Sequence, residues 1–448
     1  MRVQLIARVA VALCLAGAVA RADDAQAGDA SGAGAPGNQP VIPGAIVPEP
    51  AHPASDPDAP APDEDTASED SDGSPTTGAI QGGVYADSDH TKVLRSLALI
   101  GATWGNWGLN GRLGIDSVTS ASLEVRSSPA LSKVDTVTSA SGRSSSSGGE
   151  MTDVRAEFSA GGAWNNGKGT AINLTGSAAA ERDYKSVSAG ANGSIDILDR
   201  TTTLLAGVSR TQNWIASVLD TSFAEQMSAT GWSAGVARVL TPTDAVRAHY
   251  DGRAALGYNA SPYRSVRFGD WTTTVNSKHQ IIFANTIGDP GGLPEQVPDR
   301  KLSHAVAIEW LHSLRADLAI HPMLRLGHDS WGSDNLTASL DLRIAEPSWR
   351  MQLGYRYYTQ SATDFFLDKY TADPSTYAFY TSDKELGPQR GHLASLGLSF
   401  VLHDSTGPSS SRLLLDLRVD GVRYAYPGYT LLPTRSGVTT SFGLTWEP

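Results

Sequence analysis

The chain has 448 residues, with 35 Lys and Arg against 47 Asp and Glu, a formal charge of −12. Fourteen of the carboxylates lie in 23–90, which holds no Lys or Arg; setting them aside with the three arginines of 1–22 leaves 33 acidic against 32 basic residues. That near-neutral remainder lacks the basic face of a nucleic-acid binder, so no nucleic-acid partner is expected. A single cysteine, Cys14, excludes disulfides and thiolate metal sites, and closely spaced His/Cys metal ligands are absent.

Residues 1–22 have the layout of a secretory signal peptide. Arg2 and Arg8 supply positive charge, 9–20 is an apolar run, and Ala20-Arg21-Ala22 or Ala18-Val19-Ala20 is a small-residue cleavage site. The run is too short for a transmembrane helix, which needs roughly 20 residues. Leu13, before Cys14, is too large for a usual lipoprotein cleavage site, so no lipid anchor is expected. Residues 23–92 are rich in Ala, Pro, Gly and Asp and hold few large apolar side chains, so they are expected to be a disordered acidic linker. The linker reads as a solvated spacer; a tether to a basic periplasmic partner is the alternative.

From Trp107 onward the pattern is period two, which gives a pleated strand one apolar and one polar face. The clearest case is 334–360. Leu336, Ala338, Leu340, Leu342 and Ile344 oppose Thr337, Ser339, Asp341 and Arg343; after Glu346-Pro347, Trp349, Met351, Leu353, Tyr355 and Tyr357 oppose Arg350, Gln352, Gly354, Arg356 and Tyr358. Further strands begin near residues 107, 154, 170, 184, 201, 227, 243, 301, 322, 391, 412 and 436, which predicts about fourteen. Residues 93–103 are also apolar and read as an extra strand or a plug segment.

The connections sort by parity. Tight turns are predicted at Asn165-Asn166-Gly167, Leu198-Asp199-Arg200, Thr241-Pro242, His321-Pro322, Glu346-Pro347 and 403–409. Between them fall longer segments, 119–151, 213–226, 259–300 and 361–390, with short exceptions near Arg182-Asp183 and Trp331-Gly332. Alternating turns and loops are the layout of a bacterial outer-membrane barrel with turns and both termini periplasmic. Val438, Thr440, Phe442, Leu444 and Trp446 make a closing strand, and Trp446, Trp349 and Tyr357 suit an interfacial aromatic girdle. The expected fold is therefore an all-β, transmembrane, antiparallel up-and-down β-barrel over 93–448 in a Gram-negative outer membrane. Its expected partners are outer-membrane lipid and the barrel-assembly machinery.

In such a barrel the polar faces line the lumen. Arg155, Asp341, Arg343, Arg350, Arg356, Asp416 and Arg418 are the predicted lining, with Arg247, Arg253, Arg325, Asp153, Glu157 and Asp251 on the same faces. Such charges tune solute passage or knit an internal ion-pair network. His249, His304, His328 and His392, with Asp251, Glu309 and Asp329, are scattered over separate strands, so no catalytic site and no enzyme activity are expected. The loop after Ile115 repeats a phrase at 116–122 and 135–141 that resembles the acceptor sequence of periplasmic flavin transferases. Ser122 and Ser141 would then carry FMN through a phosphoester, although Ser120 and Ser139 stand where glycine is usual. The plain reading is a polar loop without cofactor.

Several stretches resemble the bacterial outer-membrane family catalogued as protein of unknown function 3570. They are Glu181-Arg182-Asp183-Tyr184-Lys185-Ser186, Leu198-Asp199-Arg200-Thr201-Thr202-Thr203-Leu204, Gly257-Tyr258-Asn259-Ala260-Ser261-Pro262-Tyr263-Arg264, Pro298-Asp299-Arg300 ahead of His304-Ala305, Asp329-Ser330-Trp331-Gly332, and Tyr355-Arg356-Tyr357-Tyr358-Thr359-Gln360. The likeness runs over nearly all of 109–446 and implies a barrel with no activity to carry over. The expected role is a small-solute pore or passive membrane component; a flavin-bearing or partner-binding part of an extracytoplasmic redox system is the alternative.

Overall fold

The period-two segments become strands whose apolar sides all point the same way, outward. A computed structural model describes residues 76–89, 91–120, 124–125, 151–217, 220–275, 280–287, 292–405 and 411–447. The leader, 23–75, Ser122 and Ser141 lie outside the described residues. Sixteen antiparallel strands close into one barrel in sequence order. They are β1 Thr76–Asp87, β2 Thr91–Trp104, β3 Trp107–Ser120, β4 Met151–Asn165, β5 Thr170–Ala180, β6 Tyr184–Ile197, β7 Thr202–Ala216 and β8 Ala224–Thr241, followed by β9 Asp244–Gly257, β10 Arg300–Arg315, β11 Leu318–Asp329, β12 Asp334–Ala345, β13 Trp349–Gln360, β14 Gln389–Asp404, β15 Arg412–Ala425 and β16 Thr434–Glu447.

Two strands exceed the expected count. β2 resolves the open reading of 93–103 as a strand. β1 falls inside the stretch that composition assigns to the linker, because its outward face interleaves Ile80 and Val84 with Gly78, Gly82 and Ala86 and so leaves little apolar signal. The seam pairs β1 with β16, from Gly78 opposite Trp446 to Asp87 opposite Gly437. At its rim Arg435 Nη2 reaches Asp87 Oδ2 at 2.5 Å, and its Nε donates to the same oxygen at 2.6 Å.

The predicted turn at His321-Pro322 is wrong. Both residues lie within β11, and the turn is at 316–317. Pro322 has no N–H for a ladder, and the β10–β11 register accommodates it: pairing runs to Glu309 opposite Met323 and resumes at His312 opposite Ile320.

At one end seven connections are short, the longest being 405–411, and both chain ends of the barrel lie there. At the other end are 121–150, 258–299 and 361–388, with shorter ones at 88–90, 181–183, 217–223, 330–333 and 426–433. The parity rule holds for the longest loops, while 88–90, 181–183 and 330–333 are as short as the turns. Large apolar side chains cover the outside, among them Ile80, Leu113, Phe158, Leu174, Val208, Leu324, Leu340 and Phe442. Trp104, Trp107, Trp310 and Trp446 stand exposed toward the short-turn end. An apolar outer band with tryptophans at its edge is the surface of a transmembrane barrel. Among the described residues no helix is long and apolar enough to cross a membrane.

Candidate functional site: the lumen wall and its mouth

Register fixes which residues face inward. Asp341 pairs with Gly354, Arg343 with Gln352, and Ser339 with Arg356, while Leu340 between them is outward. The same parity puts Arg155, Asp341, Arg343, Arg350, Arg356, Asp416 and Arg418 on the inner wall. They are spread around it rather than gathered at one point. Asp416 accepts from Ser399 Oγ at 2.5 Å, and Arg418 Nε donates to both oxygens of Asp420 at 3.0 Å.

Two charged bands run across the wall. On β2–β4, Arg95 Nε stands 3.3 Å from Asp116, and Arg155 lies 3.7 Å from Glu157 and 3.8 Å from Glu181. Across β9–β12, Asp251, His249, Glu309, His321 and Asp341 form a row, with contacts in that order of 3.4, 3.4, 3.1 and 3.9 Å. Glu309 sits between the two imidazoles and is buried. Outer members such as Asp251 and Asp341 keep about a quarter of their side chain exposed, so water wets this band. Sequence reading missed His321 because the following proline suggested a turn; the alternation Ile320, Pro322, Leu324, Leu326 was the signal.

The remaining histidines do not converge. His304 faces outward, where Tyr250 Oη meets its Nδ1 at 2.6 Å, and Tyr355 Oη similarly meets His392 Nδ1 at 2.8 Å. His328 contacts Asp334 at the exposed rim, and Asp329 holds Lys301 Nζ at 3.0 Å.

The mouth at the long-loop end is built from the sequence motifs of the family resemblance. In the 330–333 turn, Asp329 Oδ1 accepts from the N–H groups of Trp331 and Ser333, and Gly332 takes φ +85° where the Asp364 side chain would collide with a Cβ. Trp331 Nε1 donates to the Arg300 carbonyl at 2.9 Å, and Lys301 lies over its ring. Gln360, ending β13, donates to the carbonyls of Glu385 and Gly387, tying 361–388 to the rim.

Residues 258–264 then reach inward. Tyr263 Oη donates to Asp183 Oδ2 in the β5–β6 turn. The next residue, Arg264, contacts Asp383 Oδ1 at 2.6 Å and Glu385 Oε2 at 3.0 Å in the β13–β14 connection. The connection that supplies Asp383 and Glu385 is itself long, 361–388, so Tyr263 and Arg264 join this loop and 258–299 to the β5–β6 turn at the mouth. Glu295 accepts from Ser261 N–H at 2.6 Å and Thr381 Oγ1 at 2.7 Å, and Lys384 contacts Glu385 at 3.0 Å. Val266, Phe268, Tyr370 and Tyr380 pack a small apolar core above it. Together these elements form a lid.

In the lid, three carboxylates face two cations. Burial, with repulsion from Glu385 and Glu295, pushes Asp383 up to about 7 against the pull of Arg264. Despite burial, Lys384 and Arg264 hold Glu385 low. In the β5–β6 turn, burial pushes Glu181 up to about 8, with Arg155 opposing.

Residues 224–403 match the family described as Protein of unknown function (DUF3570). That span includes the 257–264, 298–300, 329–332 and 355–360 motifs, whereas those at 181–186 and 198–204 precede it. No curated protein matches the chain. Among solved structures, a bacterial polysaccharide outer membrane secretin aligns with 83% of this chain and 98% of its own at 8% identity and a TM-score of 0.44. The monoaromatic hydrocarbon channel CymD aligns over 84% and 88% at 10% identity and 0.36. The Pseudomonas putida toluene transporter TodX aligns over 84% and 90% at 10% identity and 0.35. At these scores the likeness carries no argument about role.

Proposed function

Starting from a transmembrane barrel that carries the DUF3570 domain, we propose that this protein is an outer-membrane pore for small polar solutes, gated at its outer mouth by the lid. One observation carries the reading: Tyr263 and Arg264 tie the 258–299 and 361–388 loops to the β5–β6 turn at the mouth of a barrel whose wall carries partly water-exposed charge. Sixteen strands enclose enough width for an aqueous channel, and side chains such as Arg155, Asp251 and Asp341 present both signs of charge to solutes inside it. A passive scaffold would not require a wet lumen. The lid's contacts are hydrogen bonds, ion pairs and one small apolar cluster between loops, which open at lower cost than barrel ladders.

The test is single-channel recording of the purified full chain in planar bilayers. Discrete current steps are expected, with larger or more frequent openings for Arg264→Gln. Silence from both proteins, each shown to be inserted, overturns the pore reading.

A further inference from the structure

Where Tyr263 meets the β5–β6 turn, three carboxylates converge at the inner rim. Asp153 comes from the start of β4, and Glu181 and Asp183 flank the turn; one oxygen of each lies within 4.8 Å of the others. Glu181 has a side chain only 2% exposed, and among the described residues neither of its oxygens accepts a hydrogen bond. Arg155 Nε stands 3.8 Å from it, beyond hydrogen-bonding reach. Asp183 is also buried; its Oδ2 takes the Tyr263 hydroxyl, and its Oδ1 has no donor among the described residues.

Buried carboxylate oxygens without donors are unfavourable, and neighbouring like charges add to the imbalance. The turn holds them together all the same. Glu181 N–H bonds to the Tyr184 carbonyl, and Ala216 N–H bonds to the Asp183 carbonyl, so the backbone fixes both side-chain origins. An all-oxygen set of carboxyl donors suits a hard divalent cation. An irregular rim completed by water favours the larger ion, because Ca2+ tolerates variable coordination where Mg2+ demands an octahedron.

We propose that Asp153, Glu181 and Asp183 form a Ca2+-class divalent-cation site at the barrel mouth. The bound cation satisfies the orphaned oxygens of Glu181 and Asp183. It also fixes the carboxylate that receives Tyr263, and this latching role alone rests on the pore reading. Binding itself does not.

The experiment is calorimetric titration of CaCl2 into the full chain in detergent, with Tb3+ luminescence excited through Tyr184 and Tyr263 as a second readout. Expected is a saturable site with Kd on the order of 10−4–10−3 M, as for extracellular calcium modules. Glu181→Gln with Asp183→Asn should weaken it by at least about tenfold, since affinity follows ligand charge. Tyr263→Phe should retain it. Should the double variant fail to insert, Asp153→Asn on its partly exposed side chain gives the same comparison. Equal binding by wild type and a folded ligand variant would assign the cation to acidic residues elsewhere and overturn the site, as would no binding. Calcium binding without channel steps would instead sink the pore and leave the site standing.

Discussion

Asp87 and Arg435 show how far one side-chain pair can matter. They join the first strand to the last at a rim where the Asp87 side chain is fully buried and that of Arg435 is 6% exposed. Removing one member of such a pair leaves an uncompensated buried charge and costs about 3–5 kcal/mol. Arg435→Ala is therefore expected to lower the urea midpoint of the detergent-folded barrel, and Asp87→Ala with Arg435→Ala to recover part of the loss. Neither residue was singled out in the sequence, since a carboxylate in an acidic stretch and an arginine after a loop carry no local signal of pairing across 348 positions. A second residue-scale expectation concerns Asp383. Its carboxyl titrates near 7 in the lid, above the ordinary 3.8, because of burial and the nearby carboxylates. The folded lid thus holds a proton that the open lid releases, so its cohesion is fullest at low pH and declines as pH rises from about 4 to about 7. Limited proteolysis of 361–388 should accelerate over that window, and Asp383→Asn should flatten the dependence.

At the level of elements, the alternation that identifies a strand also states which face meets lipid. Leu340 and Asp341 are neighbours near the middle of β12, one outward and one inward. Leu340→Arg should cost about 2–4 kcal/mol, the penalty for arginine near the bilayer midplane. Asp341→Asn should change unfolding little, and urea titrations of the two variants in lipid vesicles make the comparison. Fourteen strands and the parity of their connections were legible because both follow from local periodicity and loop length. What escaped notice has local causes. β1 escaped because Gly78, Gly82 and Ala86 on its outward face mute the pattern and it continues an acidic linker. The β10–β11 turn was misplaced because Pro322 mimics a breaker; only the neighbouring strand's register shows the gap that admits it. The inner-wall arginines and aspartates were readable strand by strand, but the His249–Glu309–His321 row and the Tyr263 and Arg264 ties were not, since each joins residues that only the closed ring brings together.

On the pore reading, the whole molecule is a polar conduit that, among the described residues, a lid of the 258–299 and 361–388 loops obstructs at one end. Besides Gln360 and Thr430, which hold 361–388 to neighbouring elements, two of its ties are chemically distinct: a phenol on a carboxylate at 183, and a guanidinium shared by Asp383 and Glu385. Releasing both should open the conduit without disturbing the ladders that hold the barrel closed. Solute efflux from liposomes bearing the full chain measures this most directly, using uncharged solutes of graded size and comparing wild type with Tyr263→Phe, Arg264→Gln. Small solutes should escape in both cases, and larger ones only through the released variant. Identical size limits, or no escape of any solute from either, would contradict a pore gated by this lid.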